Sequence, residues 1–271
     1  MKKINLYAIA NYPAPIRLGI FVLVLLSLWC PLAAPIYAYV GNRNLVSILT
    51  ILLLYAQFIF LVGFWGKQVY HQPQILRHYG LAGTTNGREL IIGLGIGLIT
   101  VLSLFSLEGW LGWLEWRQAI KAKVIVEGLI VAIAVGFAEE LLFRGWLLDE
   151  LQRDYGAEVA LWANALIFAS LHFIKPLPEM LRTSPQFPGL LLLGLTLVWA
   201  KRRCKGRLGL PIGIHSGLTW GYYIVNVGQL IKYSGQVPDW VTGVNQNPLA
   251  GVVGIGFLGA IAWIISKGIQ K

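Results

Sequence analysis

Apolar runs recur along this chain so closely that no soluble domain can be built between them. A membrane-spanning helix needs about 20 apolar residues. Eight candidate runs fall at about 16–39, 45–66, 89–107, 124–148, 157–174, 187–200, 208–231 and 248–266. Of the 271 residues, 56% are hydrophobic and only 13% charged, about half the charged share of a soluble domain. That leaves too little polar surface to clothe the runs separately. The expected fold is therefore all-α, a polytopic bundle of about eight transmembrane helices forming a single membrane domain over residues 1–271. Pro31 and Pro35 lie in the first run, which is expected to kink or end early. The sixth run is short.

The formal charge of +10, from 22 basic and 12 acidic residues, would suggest nucleic acid in a soluble protein. Here the cations sit in short stretches between apolar runs, where they set orientation and meet anionic headgroups. Lys201, Arg202, Arg203, Lys205 and Arg207 follow directly on an apolar run. The expected partners are membrane lipid and a peptide or membrane-protein substrate, with no nucleic acid. Eight spans put both termini on one side. The Lys and Arg residues outside span interiors then divide 14 to 7 in favour of that side, which places the termini in the cytoplasm. Nothing in the sequence separates a plasma membrane from an internal, thylakoid-type one.

Trp110, Trp113 and Trp116 read as an interfacial aromatic belt with an amphipathic turn. Residues 68–88 read as a polar cytoplasmic loop, with His71 and His78 as solvated side chains. Cys30 and Cys204 are far apart and lack metal-ligand spacing, so neither a disulfide nor a structural zinc is expected.

The fourth run contradicts its surroundings. Within six residues of an apolar helix it holds Glu139, Glu140 and Arg144. Each charge at mid-membrane costs about 2.5–3.5 kcal/mol on the insertion scale, or roughly 8–10 kcal/mol for three. Such groups mark functional sites, with an internal ion pair that locks helix packing as the plainer reading. Glu140 and Arg144 are four apart, share a face and can pair. Glu139 is turned about 100° away and is the carboxylate that Arg144 neutralises less easily. A carboxylate left in that state suits a general base.

Two further runs carry the only histidines inside spans. Phe168 and His172 are four apart on the fifth run, with Asn164 two turns before His172. His215 lies in the seventh run, beside Pro211, Gly213 and Gly217, which loosen the helix or let another backbone approach. Thr219 is one turn beyond His215 and Tyr222 two turns. Asn226 is about 16 Å away by helix rise, too far to share a small site with His215 in a regular helix.

The order Glu139-Glu140-x-x-x-Arg144, then Phe168-x-x-x-His172, then His215 resembles the CPBP family, which includes the CAAX prenyl endopeptidases and the bacteriocin-processing enzymes. The resemblance covers roughly residues 124–230. It implies an eight-helix membrane bundle enclosing a hydrophilic cavity, and an intramembrane endopeptidase of the glutamic type. By the resemblance Glu139 and His172 activate a water, His215 stabilises the oxyanion, Glu140 and Arg144 form the supporting pair, and no cofactor is needed. Phe168 and Thr219 complete the supporting set. Thr219 stands where the family commonly has Asn or Asp completing the oxyanion hole. Threonine donates one hydrogen bond but lacks the reach of an amide, and loss of one oxyanion donor can cost 10²–10³-fold in rate. Tyr222 is an alternative donor.

Three other readings stay open on the sequence. Glu139, His172 and His215 form a legitimate zinc set, although no H-E-x-x-H helix is present. Thr219 favours a non-catalytic membrane scaffold or chaperone. A transporter with a carboxylate relay ranks last, because no repeat is visible.

Overall fold

The computed structural model describes residues 6–81, 83–117 and 119–269. Lys2, Lys3 and Lys271, which enter the charge count above, lie outside them. In chain order the helices are α1 (Ala14–Tyr39), α2 (Arg43–Val69), α3 (Ile75–His78), α4 (Thr85–Trp110), α5 (Ala122–Glu140), α6 (Leu148–Asp154), α7 (Ala157–Leu171), α8 (Leu177–Thr183), α9 (Phe187–Arg203), α10 (Gly209–Asn226), α11 (Asp239–Thr242) and α12 (Val252–Lys267). Helix occupies most of each of the eight apolar runs, the seventh running on past α10 into a turn and the start of a strand. On length and composition α1, α2 and α4 can cross a membrane, and α7 and α12 are shorter apolar helices. Large apolar side chains such as Leu23, Ile51 and Ile99 are exposed on the outer surface, the inverse of a soluble protein and the arrangement a lipid solvent favours.

Short connections make successive long helices alternate in direction, so the bundle has two chemically different ends. One end joins the start of α1 to α6, where the buried Arg17 pairs with Glu150 at 3.0 Å. It also joins α3 to α6 through His78 and Asp149 at 2.8 Å, α9 to α7 through Arg202 and Glu158 at 3.0 Å, and the loop after α9 to α4 through Arg207 and Glu89. At the other end β1 (Leu114–Trp116) pairs antiparallel with β2 (Ile231–Tyr233). Arg182 there reaches Asn245 at 3.1 Å.

Helices α4 and α10 run parallel with backbones in contact. A Cβ at Gly97 would lie 2.5 Å from the Ile214 carbonyl oxygen and 2.5 Å from the Leu218 nitrogen, and one at Gly93 2.6 Å from the Leu210 oxygen. Lipid offers helices no hydrophobic incentive to associate, so small residues that admit close backbone packing do the joining. Of the two sequence readings of Gly213 and Gly217, close approach is the one realised.

Three local expectations need correction. α1 continues through Pro31 and Pro35 to Tyr39 and does not end early; proline is tolerated in such helices because neighbours re-satisfy the freed backbone. Residues 68–88 are not a solvated loop throughout, because α3 turns Ile75 and then Tyr79 into the core; His71 stacks on Tyr7 at 4.9 Å. The turn expected near Trp116 is a strand of the small sheet.

Candidate active site

The fourth span does not stay a regular α-helix. α5 ends on Glu139 and Glu140, and residues Leu141–Leu147 form a wide π-helical turn before α6 begins. Such a turn disturbs the regular pairing of backbone carbonyls with amides four residues on. Two carbonyls of the turn take donors from other helices, the Phe143 carbonyl in addition to the Leu148 amide. Asn164 Nδ2 of α7 donates to the Phe143 oxygen at 2.7 Å, and Lys201 Nζ of α9 donates to the Arg144 oxygen at 2.6 Å. Asn164, read in the sequence only as an interhelical bond, thus holds the turn that follows the carboxylates.

The two glutamates face different surroundings. Glu140 and Arg144 are both wholly buried, and Arg144 Nη1 donates to Glu140 Oε1 at 2.9 Å. His215 Nδ1 lies 2.9 Å from the same oxygen. Arg144 Nη2 also donates to the Gly194 carbonyl at 3.2 Å, and its guanidinium carbon sits 4.3 Å from the Phe168 ring centroid. Gly136, one turn before Glu140, admits α10 closely: a Cβ there would be 3.2 Å from the Ile212 oxygen and 3.2 Å from the Ser216 nitrogen. That approach brings His215 beside Glu140.

Glu139 Oε2 lies 3.8 Å from His172 Nε2 and 3.9 Å from His215 Nε2. It is a buried oxygen with no hydrogen-bond partner, on a side chain that is 29% exposed overall. Separations of this size exceed a direct hydrogen bond. They leave three polar atoms facing one space, an arrangement suited to a small bridging oxygen species.

Both imidazoles are oriented from behind. His172 caps the end of α7, and its Nδ1 lies 2.7 Å from the Phe168 carbonyl oxygen. A carbonyl only accepts, so Nδ1 carries the hydrogen and the neutral ring presents a bare Nε2 toward Glu139. His215 donates from Nδ1 to the Glu140 carboxylate and likewise turns Nε2 toward Glu139. Phe168, fully buried, packs edge-on against both rings, at 4.6 Å from His172 and 6.3 Å from His215.

These groups line a cavity of about 310 Å³ walled by α4, α5, α7, α9, α10, α12 and residues 247–249. Its walls are largely apolar, and Thr219, Tyr222, Gln186 and Asn247 add polar groups. Asn226 lies outside the lining but donates from Nδ2 to the Tyr222 hydroxyl at 3.2 Å, so it meets the site through Tyr222. Gln186 and Asn247 escaped sequence reasoning. Asn247 Oδ1 accepts from the Leu249 amide at 3.0 Å, which fixes the side chain and leaves its NH₂ group to donate. The only sequence signal was an Asn-Pro step, which marks a turn and nothing more. Among the described residues, no group of three or more His, Cys, Asp or Glu side chains is arranged to hold a metal ion. Cys30 and Cys204 are both free thiols, the first exposed and the second buried.

Residues 121–221 match a protein-family model described as type II CAAX prenyl endopeptidase, Rce1-like. No curated protein and no solved structure matches the chain. The matched segment contains Glu139, Glu140, Arg144, Phe168, His172, His215 and Thr219. Gln186 also falls within it, while Tyr222 lies one residue past its end and Asn247 well beyond. The match assigns this segment to the CAAX protease family, and with the apolar helices it makes the chain an integral membrane protein.

Proposed function

We propose that this CAAX-protease-family chain is an intramembrane endopeptidase that hydrolyses a peptide bond with a water activated by Glu139 and His172. One observation carries the reading: Glu139 Oε2 is buried, lacks any hydrogen-bond partner, and faces two imidazole Nε2 atoms at 3.8 and 3.9 Å inside a cavity.

In this mechanism a water seated between Glu139 and His172 donates one hydrogen to each. As its oxygen attacks the peptide carbonyl carbon, Glu139 takes a proton and later gives it to the leaving amine. The products are a carboxylic acid and an amine, with no net change of charge on the protein. His215, as imidazolium, donates from Nε2 to the developing oxyanion. Its charge fits the surroundings, since Glu139, Glu140, Arg144 and an imidazolium together sum to zero. Thr219, Tyr222 and the Asn247 amide are the remaining donors near that position. Glu140 and Arg144 do no chemistry; they fix the direction of His215.

The test compares free N-termini in membranes of cells carrying the wild type, Glu139→Gln and His172→Ala at equal expression. Peptide ends present with the wild type and lost with both variants are expected, with a loss of at least about 10²-fold in cleavage of any peptide so found. Identical end profiles, or full rescue of a deletion strain by Glu139→Gln, would replace the protease with a scaffold.

A second reading has one observation in its favour. Metal-binding histidines commonly donate their far N–H to a carbonyl or carboxylate, and both His172 and His215 do so. A zinc ion held by Glu139, His172 and His215 would use the same three atoms. Chelation separates the two readings.

A further inference from the structure

A second cavity, of about 400 Å³, lies beside the catalytic one, close to where α4 and α10 both end. Phe105 and Val225, both buried, give it an apolar floor. Arg117, Asn226, Gln229, Lys232 and Gln246 supply its polar lining. The two cavities share a wall. Asn226 lines the second, and its Nδ2 donates to the hydroxyl of Tyr222, which lines the first. Gln246 and Asn247 divide between the two in the same way.

The small sheet sets the charge of this second cavity. Arg117 follows β1 and donates its backbone N–H to the Leu230 carbonyl at 2.8 Å, continuing the register in which Glu115 faces Lys232. Arg117 and Lys232 are then diagonal neighbours on one face, about 7–8 Å apart. Both side chains are exposed, and among the described residues neither forms an ion pair. Glu115 shares their face but neither pairs with Lys232 nor lines the cavity. Two free cations and three side-chain amides around one hollow, with no carboxylate among its described lining residues, suit an anion. Gln229 and Gln246 also hold left-handed backbone, at φ 51° and 61°. Such conformations are costly for residues other than glycine and gather at ligand clamps.

Depth decides which anion. α4 ends at the exposed Trp110, and the exposed Trp116 directly precedes Arg117; such rings sit at headgroup level. Phe105 lies five residues, about 8 Å, further down α4 toward the bilayer centre. The cavity therefore runs from the headgroup layer into the apolar layer, with cations above and hydrocarbon below. A peptide held at Glu139 has to pass the Tyr222–Asn226 wall to reach it, whereas a lipid of the surrounding bilayer meets the exposed Arg117, Gln229 and Lys232 directly. We propose that this cavity binds the phosphate headgroup of one anionic membrane phospholipid. Arg117 and Lys232 take the phosphate oxygens, and the amides of Asn226, Gln229 and Gln246 are further donors. The site stands apart from the hydrolytic reading and does not depend on it.

Lipid retention by the purified full chain tests it. The protein in uncharged detergent micelles is titrated with phosphatidylglycerol or with phosphatidylcholine of the same acyl chains, and bound lipids are counted by native mass spectrometry. One phosphatidylglycerol should be held in preference to phosphatidylcholine. Each cation near an anionic headgroup is worth about fivefold in affinity, so Arg117→Gln/Lys232→Gln should weaken that binding about 30-fold. Lys67→Gln/Arg77→Gln removes the same charge from exposed positions at the other end of the bundle and should leave it unchanged. Should the first pair variant fail to fold, Lys232→Gln alone carries the test, with about a fivefold loss expected.

Equal retention of the two lipids by the wild type would overturn the proposal. So would equal losses in the two pair variants, which would reduce the preference to overall charge. Inorganic phosphate and an acidic peptide, each added at the lipid's own concentration, separate the other sources of the same chemistry. Neither should displace the bound phosphatidylglycerol. Displacement by phosphate would make this a site for a soluble anion, and displacement by the peptide would make it part of a peptide-binding surface; either result would overturn the lipid assignment.

Discussion

Glu139 and Glu140 are sequence neighbours of the same chemistry, and the structure makes opposite demands of them. Replacing Glu140 with Leu leaves the Arg144 guanidinium wholly buried, with its bond to the Gly194 carbonyl and its stack on Phe168 but without a counter-charge. Breaking a buried pair from one side costs about 3–5 kcal/mol, because the remaining charge is stranded. The folded-to-unfolded ratio should fall by about two to three and a half powers of ten. Arg144→Met should cost a similar amount. The double variant Glu140→Leu/Arg144→Met removes both charges and should recover most of the loss, since a buried pair is often replaced by apolar side chains at little net cost. Glu139→Gln should be nearly neutral: Glu139 Oε2 forms no hydrogen bond, and the side chain is partly exposed.

The assay is unfolding of purified protein in mixed micelles as denaturing detergent is raised, followed by the fluorescence of its 11 tryptophans. The decisive quantity is the coupling in the four-member cycle. A double variant as unstable as the sum of its single changes would refute the argument that the pair is held by mutual neutralisation. Equal losses for Glu139→Gln and Glu140→Leu would refute the division of roles between the two carboxylates.

Three other outcomes follow from the site. Asn247→Asp keeps the oxygen that caps Leu249 and removes the NH₂ donor, so stability should hold while kcat falls about 10²–10³-fold; Thr219→Asn in that background should restore part of the rate, and an unchanged kcat for Asn247→Asp would remove Asn247 from the oxyanion site. Asn164→Leu and Lys201→Met each remove a side-chain donor to a carbonyl of the π-helical turn and should cost about 0.5–3 kcal/mol in the same unfolding assay, with no loss in either meaning that the turn holds without it. Prolonged dialysis against a strong chelator should leave peptide cleavage intact, and recovery of lost activity on adding zinc would establish the metal reading in place of the glutamate one.

The helical spacing of Glu140 and Arg144 made their pairing legible from sequence, because a four-residue step aligns side chains whether or not the tertiary structure is known. His172 and His215 were legible for another reason. Only two imidazoles lie in apolar runs, and a polar group in lipid needs a partner. The wide turn after Glu140 was hidden, since nothing in the residues Leu141–Leu147 distinguishes a π-helical turn from an α-helical one. The donors that permit it come from positions 164 and 201, far along the chain. Asn247 was hidden by the same logic. It enters the cavity from an irregular segment whose path is set by tight packing, with a Cβ at Gly254 only 2.6 Å from the Pro248 carbonyl carbon. Periodicity reports what lies along one helix and is silent about what folds over its end.

The wide turn also bears on why a pair of adjacent glutamates is needed rather than one. A single carboxylate that both neutralised Arg144 and activated water would have to release one task to perform the other, and in a wholly buried site the release would strand a charge. Glu140 is spent on Arg144 and on the Nδ1 of His215 at 2.9 Å each. Those two bonds set the ring so that Nε2 faces the neighbouring carboxylate. Glu139 keeps an oxygen free of hydrogen bonds while Arg144 Nη1 and His215 Nδ1 are both engaged by Glu140. Exchanging the chemistry between positions 139 and 140 would require moving the arginine back by one residue, about 100° around the helix, and Asn164 and Lys201 hold the turn that carries it from two other helices.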